Sequence, residues 1–162
     1  MNSNIGIPTR YGIFVAIFSE TGLCRLEFPK NAIKSKIINK LTCDKKSWYN
    51  ITTSALNKIL LGKVPNPLPP LDLSKGTKFQ RNVWQTLLKI PTGKTISYGN
   101  LAAQLNNPSA SRAVGSACGA NPIPIIIPCH RVLAAKYQIG GYSGESGWKR
   151  YLLKIEGAKF IE

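Results

Sequence analysis

Near the N-terminus the chain shows two short runs of aromatic and branched residues, Tyr11 to Phe18 and Leu23 to Phe28. Glu20-Thr21-Gly22 lies between them, so the pattern predicts two strands joined by a hairpin turn. Lys30 to Lys46 is basic with only weak helical spacing and is ambiguous between helix and loop. From Ser54 to Leu61 the apolar positions Ala55, Leu56, Ile59 and Leu60 recur at helical spacing, and Gly62 follows, which predicts a helix ending there. Val64-Pro65-Asn66-Pro67-Leu68-Pro69-Pro70 must be extended, because each proline fixes its own backbone and restrains the residue before it. Residues 1–63 are therefore expected to form a small α/β domain, a strand hairpin plus a helix, and residues 64–75 a Pro-rich linker.

Beyond the linker, Thr77 to Ile90 places Phe79, Val83, Trp84, Leu87 and Leu88 on one helical face, and Pro91-Thr92-Gly93 stops it. A shorter helix is expected from Ser97 to Leu105, capped by Thr95 or Ser97. Asn106-Asn107-Pro108 makes a tight turn, and another helix runs from Ser109 to about Ala120 through Ala110, Ala113, Gly115, Ser116 and Ala117. Two short helices across a tight turn suggest a helix-turn-helix. The slim second helix suits either close internal packing or entry into a narrow DNA groove, with Arg112 as the reaching side chain. In Asn121 to Pro128 three prolines bracket branched aliphatics, which predicts a stiff, extended, buried rod leading to Cys129. Tyr137 to Tyr142, with Gly140-Gly141, predicts a hairpin or wing, and Trp148 to Ile155 an amphipathic helix ended by Gly157. The expectation for residues 76–162 is a mostly α domain with a winged helix-turn-helix.

Charge sharpens this picture. The 162 residues carry a formal net charge of +15 at pH 7. Between Asp72 and Glu145 there is no acidic residue, while Lys75, Lys78, Arg81, Lys89, Lys94, Arg112, Arg131 and Lys136 all fall in that stretch. A segment of one sign repels itself, and a polyanion such as nucleic acid relieves the repulsion; the alternative is a Lys-rich proteome that merely keeps the protein soluble. The longest apolar run, Ile123 to Pro128, is too short to span a bilayer. Met1 to Pro8 has no features of a secretory signal. The expected location is cytoplasmic, nucleoid-associated in a prokaryote or nuclear in a eukaryote, with no membrane partner.

The four cysteines, Cys24, Cys43, Cys118 and Cys129, are expected to be reduced thiols. There is no C-x-x-C pair, and the one histidine adjoins Cys129, so no metal site is expected. Cys24, Cys43 and Cys118 read as small apolar side chains. Cys129 differs, because His130 is the chain's only imidazole and a thiol becomes a useful nucleophile only as its thiolate. Adjacent side chains usually point apart, so one bridging water could carry the proton. Glu156, at the end of the last helix, is the best candidate to orient the imidazole. These residues alone suit a cysteine peptidase or a thiol transferase equally.

The motif Pro128-Cys129-His130-Arg131-Val132 resembles the active-site signature of the O6-alkylguanine-DNA alkyltransferases, or methylated-DNA–protein-cysteine methyltransferases. The likeness continues through Gly76-Thr77, Phe79-Gln80, Val83-Trp84, Ile90-Pro91, Gly93, Ser97-Tyr98 and Leu101-Ala102. It goes on through Pro108, Ala110, Arg112-Ala113-Val114-Gly115, Asn121-Pro122, Gly141-Tyr142, Lys149, Leu152-Leu153 and Glu156, covering the chain after the linker.

The resemblance implies that double-stranded DNA with alkylated guanine is the partner of a monomeric protein. The alkyl group would pass from guanine O6, or thymine O4, to Cys129 without a cofactor. It implies that His130 activates Cys129 through water, that Glu156 orients His130, and that Asn121 braces the turn beside the cysteine. Tyr98 would place its hydroxyl against the flipped base, and Val132, Tyr142 and Ser143 would line the base pocket. Arg112 would fill the gap in the duplex, with Thr95, Ser109, Ser111, Ala113 and Ala117 along the DNA surface. Asn106 stands where the family often has glycine, and Gly144-Glu145 replaces a usual glycine pair in the pocket loop; the zinc of some relatives has no ligands here. The rival readings are a non-catalytic alkylated-DNA-binding protein, a helix-turn-helix regulator and a cysteine peptidase.

Overall fold

The computed structural model describes residues 2–30, 42–140 and 147–162. Three antiparallel strands open the chain: β1 (Ser3–Thr9), β2 (Gly12–Phe18) and β3 (Leu23–Glu27), in the order β1-β2-β3. The expected hairpin is β2–β3, with a register irregularity between Ile17 and Phe18. β1 was not foreseen, because Ser3, Asn4, Gly6 and Pro8 break its apolar pattern. It nevertheless pairs with β2 along its whole length and buries Ile5 and Ile7.

Helix α1 (Cys43–Ile59) begins well before the expected Ser54, capped by the Thr42 side chain on the Lys45 N–H. Its apolar stripe, Ala55, Leu56 and Ile59, is buried, and Trp48 stacks near Phe18. The end of the proline-rich stretch meets β3 of the sheet. The Leu23 N–H donates to the Pro70 carbonyl at 2.8 Å, and the Asp72 N–H to the Leu23 carbonyl at 2.8 Å.

Helix α2 (Lys78–Leu87) starts with a reciprocal capping box between Thr77 and Gln80 and buries Val83, Trp84 and Leu87. A short strand β4 (Ile96–Ser97) leads into α3 (Tyr98–Gln104), whose N-cap is the Ser97 hydroxyl. Asn106, with φ of 57°, takes the left-handed turn conformation that asparagine tolerates. A single 3-10 turn, Pro108–Ala110, then feeds α4 (Ser111–Gly119). β4 pairs in parallel with β5 (Val132–Leu133), which fixes the start of α3 beside the end of the cysteine motif.

The expected extended rod is instead a folded turn. The Ile126 N–H bonds to the Pro124 carbonyl at 2.9 Å and the Ile127 N–H to the Ile123 carbonyl at 2.9 Å, while Ile125 has φ of 73°. Burial, unlike extension, is as expected: Ile123, Ile125, Ile126 and Ile127 are all inaccessible. Prolines restrict their predecessors, but Ile125 and Ile126 precede no proline and escape that restriction, and packing holds Ile125 in its strained left-handed conformation.

After β5, residues 137–139 do not run into a hairpin among the described residues. They pair with the C-terminal tail, through the Ile139 N–H to the Ile161 carbonyl at 2.9 Å and the Ile161 N–H to the Tyr137 carbonyl at 2.7 Å. The rest of the expected wing, including Tyr142, lies outside the described residues. Helix α5 (Trp148–Ile155) has the bounds its pattern predicted. Its Trp148 contacts Tyr11, Phe14 and Phe28, and so docks α5 against the N-terminal sheet. Among the described residues no helix is long and apolar enough to cross a membrane.

Candidate active site

Cys129, His130 and Arg131 form a single 3-10 turn that the Ile123–Pro128 loop holds against α5. All three are buried. Asn121 ties the loop together. Its Oδ1 accepts the Ile123 N–H at 3.0 Å, and its Nδ2 donates to the Ile127 carbonyl at 2.8 Å. Those two bonds fix which end of the amide is which, so the group facing sulfur is the NH2: Nδ2 donates to Cys129 Sγ at 3.1 Å. An N–H aimed at sulfur stabilises negative charge there.

The His130 side chain reaches the end of α5, where its Nε2 meets Glu156 Oε1 at 2.9 Å. Burial pushes the imidazole toward its neutral form, and the Glu156 contact only partly opposes this. Burial also disfavours the Glu156 carboxylate, but hydrogen bonds from His130 and Arg131 outweigh it and hold the carboxyl at a pKa of about 2. Glu156 is therefore ionised and can only accept, so Nε2 carries the proton and Nδ1 is the basic nitrogen. Nδ1 is buried and bonds to no described residue.

Arg131 was counted among the cations available to a polyanion, yet the structure turns it inward. Its Nε donates to Glu156 Oε2 at 2.9 Å and one terminal nitrogen to Oε1 at 2.8 Å. Its guanidinium also reaches the Ile90 carbonyl at 2.6 Å and the Thr92 hydroxyl at 3.1 Å. The Gly93 N–H adds a bond to Glu156 Oε2 at 3.2 Å. Sequence reasoning missed this clamp; its one signal was a cation inside the otherwise apolar run around Cys129, which demands a buried anion. Lys149 gained no role from the sequence either. It is buried on α5 with Nζ 5.8 Å from the centre of the Tyr98 ring.

Tyr98 opens α3 and is half-buried near Cys118 and Cys129. Burial, reinforced by those two cysteines, raises its phenol to about 12, so it stays protonated. Val132 is buried in β5, with its N–H returned to the Cys129 carbonyl. Tyr142 and Ser143 lie outside the described residues.

On α4, Arg112, Ala113 and Ser116 are exposed along one face, while Val114, Ala117 and Cys118 point inward. Ala117, expected on the DNA surface, is buried, and its carbonyl accepts the Trp84 indole N–H at 2.8 Å. Its small size thus serves the α2–α4 contact. Ser109 is exposed and bonds Asn107, and Ser111 and Thr95 are half-buried.

The family model described as 6-O-methylguanine DNA methyltransferase, DNA binding domain, matches residues 78–158. A methylated-DNA–protein-cysteine methyltransferase of Methanosarcina mazei is 40% identical over 140 residues, 85% of this chain and 85% of that protein. A Mycobacterium tuberculosis O6-methylguanine methyltransferase superposes with a TM-score of 0.74 at 34% identity, covering 97% of this chain and 93% of that one. The M. tuberculosis OGT solved in complex with DNA gives 0.75 at 34% identity, over 95% and 92% of the two chains. A cysteine held by an asparagine, a histidine held by a carboxylate and an unbroken match across both stand together, and the chain belongs to the methylated-DNA–protein-cysteine methyltransferase family.

Proposed function

We propose that this chain repairs alkylated DNA by moving an alkyl group, such as methyl, from guanine O6 or thymine O4 onto Cys129, once per molecule. The observation that carries the reading is the buried set in which Asn121 Nδ2 sits 3.1 Å from Cys129 Sγ while His130 is anchored to Glu156 at 2.9 Å.

His130 Nδ1 takes the thiol proton, directly or through a water, and Glu156 stabilises the resulting imidazolium. The thiolate attacks the alkyl carbon, the carbon–O6 bond breaks, and its electron pair leaves with guanine. The Tyr98 phenol donates the proton that the departing base needs, and the proton held on His130 replaces it. The product is a thioether. It has no carbonyl for water to attack, so the transfer is irreversible, and the sum of the steps requires no cofactor.

The substituent is hidden inside a duplex, so the base must be extruded at a cost of about a few kcal/mol. We read α3 and α4 as a helix-turn-helix and the exposed face of α4 as the part that enters the minor groove. Slim Ala113 and Ser116 leave room for close approach, and Arg112 fills the place of the extruded base. The DNA complex of the M. tuberculosis relative supports DNA as the partner, and we take that DNA to be double-stranded. The protein acts as a monomer.

Incubation with a duplex containing O6-methylguanine, followed by peptide mapping, tests the reading. One methyl group on the Cys129 peptide is expected, and none after incubation with undamaged duplex. Repeated turnover with protein limiting would reject it.

A further inference from the structure

Glu156 closes α5, and two glycines lie against the backbone of Ile155 and Glu156. Gly93 approaches so closely that a Cβ there would lie 2.8 Å from the Glu156 carbonyl oxygen. Gly62, from the N-terminal half, is closer still. A Cβ on it would overlap the Ile155 carbonyl oxygen and lie 3.0 Å from its carbon. Both atoms are backbone, so no rotamer change relieves the overlap.

Gly62 follows α1 in the left-handed region, φ 70°, where its N–H bonds the Ile59 carbonyl at 2.8 Å. A helix stop explains the backbone conformation but not the contact with α5. The same junction holds a second link. The Tyr151 hydroxyl of α5 donates to the Leu60 carbonyl at 3.2 Å and pairs with the Tyr11 hydroxyl.

From these contacts we infer that Gly62 is a positioning residue for alkyl transfer: the end of α1 seats the last turn of α5, and thereby sets where the Glu156 carboxylate meets His130. This rests on the function proposed above. The N-terminal half then enters the chemistry without touching substrate. Among the described residues the ionisable groups facing Glu156 are His130 and Arg131, and Lys149 on α5 acts on His130 through space.

The test compares Gly62→Ala and Gly62→Asn in single-turnover transfer from O6-methylguanine duplex across pH, with duplex affinity and thermal melting measured alongside. Asparagine accepts the left-handed backbone but still brings a Cβ. Both variants should slow transfer at neutral pH by about ten- to a hundredfold, the scale of a small misplacement in a catalytic constellation. Duplex affinity should be unchanged. With Glu156 displaced, His130 is a weaker base, and the thiol loses its proton only as pH rises. The deficit should therefore shrink toward alkaline pH, whereas a fold defect lowers the rate by one factor at every pH.

A wild-type rate in Gly62→Asn would overturn the inference, because it would leave only backbone strain at Gly62. A uniform deficit across pH would overturn it as well. Should neither glycine variant fold, Tyr151→Phe decides. It should show a several-fold slowing with the same alkaline recovery, and an unaltered pH profile overturns the proposal. Failure of the wild type to methylate Cys129 would instead reject the functional reading itself.

Discussion

The neighbourhood of Glu156 and the outer face of α4 belong to the same half of the molecule and handle charge in opposite ways. The Glu156 carboxylate has no solvent exposure and receives four hydrogen bonds, from His130, Gly93 and twice from Arg131. Arg112 on α4 is exposed and pairs with no described residue. In the first region a cation and an anion neutralise each other inside the protein. In the second, positive charge is left over at the surface. Substitutions in the first should therefore change both stability and chemistry, and substitutions in the second should change dealings with DNA alone.

The largest effect expected is that of Cys129→Ala. Transfer should vanish altogether while affinity for duplex stays within about twofold, since sulfur adds no charge to the DNA surface. Any methylation found by peptide mapping on Cys118, the other buried thiol, would break the assignment. Burial, with the Cys129 charge adding to it, raises the Cys118 thiol to about 12, which keeps it protonated and inert.

Glu156→Gln comes next and tests both halves of the comparison at once. The amide cannot neutralise Arg131, and an uncompensated buried charge costs about 3–5 kcal/mol, which lowers the melting temperature by about 10 °C or more in a chain of this size. Transfer should slow by about a hundredfold, because the imidazolium loses its stabilising anion. Duplex affinity should not follow. A destabilised variant with a wild-type single-turnover rate would remove Glu156 from the mechanism and leave it a structural ion partner.

Acid should act on the same region by a different route. The His130 pKa is lowered on folding, so protonation favours the unfolded chain, and stability begins to fall once pH drops below about 6.5. The Glu156 pKa is also lowered, to about 2. Its contribution is complete above its unfolded value of about 4.5 and is lost as pH falls toward 2, roughly 3 kcal/mol in all. Denaturant melts at pH 7, 5 and 3 should show both losses. In Glu156→Gln the lower one should be gone; its persistence there would trace acid sensitivity to another group.

Much of this was legible in the chain itself. The period of Trp148 to Ile155 placed α5, and the spacing around Val83 and Leu87 placed α2, because both helices bury one clean stripe. The grouping of Cys129, His130 and Glu156 was legible because the chain has one imidazole, beside a cysteine, and few acids, while Asn121 beside the cysteine came from the resemblance. What stayed hidden depended on tertiary pairing. β1 is held by its partner strand despite Gly6 and Pro8, and the two-residue pairing of β4 with β5 carries no local signal. Ile125 gives no hint of a left-handed turn, since a branched residue there is strained and survives only because the packed loop over-determines it. Arg131 looked like a surface cation until its distance to Glu156 was known.

The smallest effect expected is that of Arg112→Ala, and it probes the other side of the comparison. Arg112 is exposed on the face of α4 away from Val114, Ala117 and Cys118, so its removal leaves the core untouched and the melting temperature essentially unchanged. If its work is to occupy the gap left by the extruded base, its loss destabilises the flipped state alone. Transfer from alkylated duplex should slow by about tenfold, a fraction of the few kcal/mol that extrusion requires. Transfer from the free alkylated guanine base, which needs no extrusion, should keep its wild-type rate. A purely phosphate-binding arginine would weaken binding evenly to all duplexes and reduce the salt slope by about one, and its rate defect would disappear at saturating protein. A solvated arginine with no role would alter neither reaction. Equal slowing on duplex and free base would place Arg112 in the pocket with Cys129, and the separation between a self-neutralised interior and an unpaired outer face of α4 would then fail at its clearest point.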